Sequence, residues 1–183
     1  MAELREKIEN LRFANSNIEG RFFVPETALR RITSKSAIEI ALQNLQLPIH
    51  EVRDLTHGIL HGAQKCFAIL LLIGYGNAIV GFFRSDSMQH SSPDDRLPYT
   101  SEALQRVFQA TEASPQVRNF LERQWEFCVP ILQQDMIFRE FDPHVILPFL
   151  ESKDIGRGSM GSATKVKLHS QCHQLPVQAH EVR

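Results

Sequence analysis

Residues 155–169 read Ile155-Gly156-Arg157-Gly158-Ser159-Met160-Gly161-Ser162-Ala163-Thr164-Lys165-Val166-Lys167-Leu168-His169, and the fold turns on the residues after the third glycine. A G-x-G-x-x-G string is by itself compatible with several local structures. A Walker A loop shares the outer glycine spacing but needs Lys and then Ser/Thr after the last glycine to reach phosphate and magnesium. Ser162 and Ala163 stand there instead. A dinucleotide-binding turn needs a helix opening at the last glycines, so that its N-terminal dipole meets the pyrophosphate. Here Thr164, Val166 and Leu168 alternate with Lys165 and Lys167, the period of two of a half-buried strand. The reading is strand, glycine turn, strand: an antiparallel hairpin over roughly Leu150–Ile155 and Ala163–His169.

Upstream the pattern is helical. Leu4, Ile8 and Leu11 share one helical face, and Glu3 and Lys7 pair across one turn. Pro25 opens a second segment, ahead of Ala28, Leu29 and Ile32. Ser36 with Glu39 reads as a capping box for a third, which Pro48 ends. The longest expected helix runs from Val52 to Ile73, striped by Leu55, Ile59, Ala63, Phe67 and Leu70 and apolar all round at its far end. Asn77 caps a short successor through Phe83. Residues 84–100 are rich in Ser, Pro and Asp with little to bury, which predicts a mobile loop. Helix resumes at Ser101–Ala110 and again from Ser114-Pro115, carrying Val117, Phe120, Leu121, Gln124 and Trp125. From Phe138, Pro143 and Pro148 with Val145-Ile146-Leu147 favour extended chain. The expected architecture is mainly α: a helical region over 1–140, then 141–183 ending in a short β-hairpin.

Composition narrows the function classes. The chain has 183 residues, 43% hydrophobic and 22% charged, ordinary globular values. Twenty Lys+Arg against twenty-one Asp+Glu leave a net charge of −1, which argues against a nucleic-acid binder. Three cysteines without a close pair, and a charged start, predict a reduced intracellular chain, cytoplasmic or nuclear. Cys66 to Phe83 lacks charge, but Gly74-Tyr75-Gly76-Asn77 interrupts it, so two helices buried in a core are expected there rather than a membrane span.

A glycine-rich hairpin is either a plain tight turn, since glycine fits any, or the cover over a nucleotide's phosphates used by protein kinases. Phe120-Leu121-Glu122-Arg123-Gln124-Trp125-Glu126-Phe127, then Ile146-Leu147-Pro148-Phe149, then Ile155–Gly158 through Lys165–His169, resemble fungal protein kinases that carry a helical region ahead of a serine/threonine kinase domain. Ala68–Gly74 with Asn77-Ala78-Ile79 is similar to that upstream region. The resemblance runs from about residue 22 onward, and its glycine loop is the specific part. It implies that Ile155 covers the adenine side of ATP, that Gly156, Gly158 and Gly161 lie over the phosphates, and that Ala163 forms a smaller lid where the family has Val. Thr164 departs from the family's aromatic. No H-R-D, D-F-G or A-P-E occurs, so the catalytic base and the ligands for Mg2+ are missing. Val177–Arg183 faintly resembles the lysine strand, with His180 in the lysine's place; the lysine otherwise lies beyond Arg183. The resemblance thus implies the front end of a kinase that transfers no phosphoryl group alone. The alternative is a non-catalytic helical module that binds protein partners, with a decorative hairpin.

Other constellations carry less. His169, Cys172, His173 and His180 offer only half of a zinc pattern, and solvated histidines are the simpler reading. Cys66 and Cys128 sit in apolar runs and read as buried thiols rather than nucleophiles. His57 and His61 read as the polar flank of a helix, and Trp125 as packing. Residues 151–183 hold five Lys/Arg and three Asp/Glu, net +2, too small a tilt to separate the two readings.

Overall fold

The computed structural model describes residues 1–43, 45, 47–84, 91–134, 139–158 and 161–176. Among them, eight α-helices precede a two-stranded antiparallel hairpin. The helices are α1 (Ala2–Phe13), α2 (Glu26–Ile32), α3 (Lys35–Gln43), α4 (Ile49–Gly62), α5 (Gln64–Leu72), α6 (Ile79–Arg84), α7 (Ser101–Phe108) and α8 (Pro115–Arg123). The strands are β1 (Phe149–Gly158) and β2 (Gly161–Leu168). A mainly helical chain with a terminal hairpin is what the patterning predicted, and the hairpin forms where the alternation placed it.

The core is built around α5. Cys66, Phe67, Ala68, Ile69 and Leu70 are wholly buried, as a helix apolar on every face should be. Leu4 and Ile8 of α1, Leu29 of α2, Ile38 and Leu42 of α3, and Ile59 of α4 pack into the same cluster. On its other side Phe82 of α6 meets Tyr99, Phe108 and Phe120 at ring-centroid distances of 5.4, 6.1 and 5.5 Å. A smaller cluster of Phe23, Ile146 and Cys172 ties the first turn region to the base of the hairpin.

The expected long helix is two. Ala63 leaves helical geometry (φ −139°, ψ 21°), and α4 and α5 meet at 107°. The cause comes from outside the segment. Asp94 accepts hydrogen bonds from the backbone N–H groups of Lys65 and Cys66, both at 2.9 Å, and so supplies the N-terminal cap that α5 lacks locally. Gly62 allows the same turn to close in, since a Cβ there would lie 2.3 Å from the Ser92 Cβ.

That corrects a second expectation, the loop with little to bury. Pro93–Arg96 is a 3-10 turn, Pro93 and Tyr99 are buried, and the Tyr99 hydroxyl donates to the Pro93 carbonyl at 3.0 Å. Ser85, Ser87 and His90 of that stretch lie outside the described residues. The third helix is capped by Ser34, whose Oγ accepts from Ala37 N at 3.4 Å, not by Ser36. Among the described residues no single helix is long and apolar enough to cross a membrane. Either side of the Gly74–Asn77 break, α5 is almost entirely buried and α6 buries Ile79 and Phe82.

Candidate functional site

The glycine hairpin pairs Asp154 with Thr164, Gly156 with Ala163, Arg157 with Ser162 and Gly158 with Gly161. The register slips by one between Asp154 and Gly156, so Ile155 is a bulge residue lying next to Gly156 opposite Ala163. Strand alternation sets Ala163, Lys165 and Lys167 on one face, with Glu151 and Lys153 across from them. Lys167 bonds Glu151 at 2.6 Å, while Lys153 and Lys165 stand directly opposite each other as like charges. Gly161 has φ +151°, so the turn itself demands glycine there.

The expected site residues Ile155, Gly156, Gly158, Gly161 and Ala163 are therefore brought together, but in the open. Ile155 is 62% exposed, and nothing approaches within 4 Å of where a Cβ on Gly156 would be. The alternation of Thr164, Val166 and Leu168 marks a strand, but only Val166 and Leu168, near the base, are partly buried. The Gly156 N–H, a candidate phosphate donor, is given to the Asp154 carboxylate at 3.0 Å. Among the described residues, five clefts are lined by residues outside 149–168. His180, read as the lysine's replacement, and Ser159 and Met160 of the turn lie outside the described residues.

The thiols are inert in character. Burial pushes Cys66 well above the ordinary thiol value, with Asp94 adding to the rise, and pushes Cys128 and Cys172 up to about 11. His169 Nδ1 lies 3.7 Å from Cys172 Sγ, but burial lowers the imidazole as it raises the thiol, so the pair is neutral. The buried Nδ1 of His173 has no hydrogen-bond partner among the described residues, and no group of three potential ligands there could hold a metal ion. His57 and His61 stack on each other at 4.0 Å on the exposed flank of α4.

Two features were not marked by any local pattern. One is half-buried Asp94, whose carboxyl is raised above the usual range by desolvation, against the pull of its two backbone donors. The other is a cleft at the C-terminal end of α8. Glu126 accepts there from Arg12 at 2.5 Å and Arg123 at 2.8 Å, joining α1 to residues 114 positions away. Trp125 stacks on His144 beside it, at 5.1 Å. Comparison with protein-family models, with curated proteins and with solved structures finds no match.

Proposed function

We propose that the chain is the front of a serine/threonine protein kinase: an intracellular helical region that meets protein partners, followed by the first two strands of a nucleotide-binding lobe. In this reading the hairpin is a cover for the phosphates of ATP. The observation that carries it is the register, which gathers Ile155, Gly156 and Ala163 at one level and sets Lys153 and Lys165 on the same face. A plain turn needs Gly161 alone; it gives no account of Gly156, which meets no neighbour. Mg2+ enters only with carboxylates and a base that these residues do not contain, so this chain transfers no phosphoryl group by itself.

A lone hairpin encloses no adenine, and the Asp154 carboxylate already occupies the Gly156 amide. Titration with Mg-ATP, followed by amide chemical shifts, should move Gly156, Gly158 and Gly161 together without saturating below ~1 mM, where binding is worth only about −4 kcal/mol. Asp154→Asn removes the competing charge and should strengthen the response. Shifts that leave these three glycines untouched at ~10 mM ATP refute the phosphate-cover reading. Micromolar saturation refutes the view that the pocket is incomplete.

The second reading, a helical interaction module, draws on exposed Ile49 (87%) and Ile40 (55%) on neighbouring helices. Substituting both by Asp would abolish partner capture while leaving the ATP-induced glycine shifts intact.

A further inference from the structure

The cleft at the end of α8 encloses about 860 Å3, within the range of small-molecule sites. Arg12, Arg21, Arg118 and Arg123 line it with Glu122 and Glu126, so four guanidinium charges face two carboxylates and the lining is net +2. Three of the four arginines are held in place. Glu126, only 12% exposed, fixes Arg12 and Arg123, and Arg21 donates to the main-chain carbonyls of His144 and Val145. Arg118 is exposed and has no hydrogen-bond or ion-pair partner among the described residues. Each guanidinium has five N–H donors, so the four offer roughly twenty. The bonds named here engage only a few of them. Phe22, with the Arg12 guanidinium 4.5 Å from its ring centre, and Trp125 add aromatic walls.

We propose that this cleft binds a phosphate monoester carried on an aromatic group. Arginines reach the lining from three places: α1, the 15–24 turn and α8. That suits three terminal oxygens better than the two of a planar carboxylate. The lining is net positive, with Glu19 pairing Arg21 from outside it at 3.9 Å, which suits an anion. The aromatic walls take the carrier rather than the phosphate; a phosphotyrosine side chain presents its ring directly, and a nucleoside monophosphate presents its base across the ribose. The site is separate from the glycine hairpin, whose residues do not line it.

Trp125 is the sole tryptophan, so its fluorescence reports the cleft directly. Titrating the full chain at low salt with phenyl phosphate should give a saturable change with Kd below ~1 mM. Inorganic phosphate and benzoate should each bind about tenfold more weakly. Arg118→Ala should weaken phenyl phosphate about tenfold and Arg118→Glu should remove binding, with circular dichroism unchanged because Arg118 is exposed. Lys35→Ala, exposed on α3 and outside both the cleft and the hairpin, should change nothing. O-phosphotyrosine and AMP separate the two sources, the tighter one naming the carrier. No saturation by ~10 mM, benzoate equal to phenyl phosphate, or full binding by Arg118→Glu would each overturn the proposal.

Discussion

Phe82→Ala should lower the unfolding free energy by about 3–5 kcal/mol, the range for deleting a fully buried phenylalanine. Phe82 has no exposed surface and stacks on Phe120 at 27°, while Tyr99 and Phe108 meet it edge-on. One ring thus joins α6, α7, α8 and the segment ending at Tyr99, and the cavity left by alanine has no single neighbour able to fill it. Phe82→Leu keeps most of the volume and should cost less than about 1.5 kcal/mol. Urea unfolding of the two variants is the check. A loss below about 1 kcal/mol for alanine would mean that the aromatic cluster collapses freely or is not the true core. Because a domain is stable by only about 5–15 kcal/mol, the alanine variant should be visibly fragile.

Asp94→Ala should lose about 2–3 kcal/mol, by stripping a half-buried acceptor from two backbone N–H groups at the start of α5. For a chain of this length that is a fall of roughly 4–12 °C in Tm. Asp94→Asn keeps an acceptor oxygen and should lose less. The pH dependence separates charge from geometry. Burial raises the carboxyl above its ordinary value, so the native state holds the proton more tightly than the unfolded chain. Its contribution to stability is therefore fully present below the ordinary carboxylate value and declines as pH rises through the raised native value. Asp94→Asn should gain on the native protein across that rise, in melts taken from pH 3 upward. A constant difference at every pH would show that the carboxyl does not titrate differently in the two states.

Helix faces and the hairpin were legible because their causes are local. Leu4 and Ile8 recur at the helical period, Ser114-Pro115 starts a helix by its own geometry, and the Lys165–Leu168 alternation permits only a strand. The division between α4 and α5 was not legible, since the stripe through Ala63 continues in phase and the cap that breaks it belongs to Asp94, 28 residues further on from Cys66. Residues 92–99 looked too polar to pack; Asp94 instead turns to the start of α5 and the Tyr99 hydroxyl to the Pro93 carbonyl. The glycine residues could be read as a hairpin, but their register with Asp154, which competes for the Gly156 amide, needed three dimensions. The arginines of the α8 cleft share no spacing at all. Only Glu126, a carboxylate as buried as Arg12, marks their meeting point.

The turn at residues 15–24 is stitched to partners more than a hundred residues away: Val24 N–H to the Glu126 carbonyl, Asn17 to that of Leu147, and Ile18 N–H to that of Phe149. During synthesis this turn emerges early, yet its long-range hydrogen-bond partners are complete only once residue 149 has left the ribosome. At about 5–20 residues per second, that is a wait of several seconds. Phe23, whose buried neighbours Ile146 and Cys172 come last, is open to other contacts for that whole interval, which makes this short segment a point where a holding chaperone would engage the nascent chain.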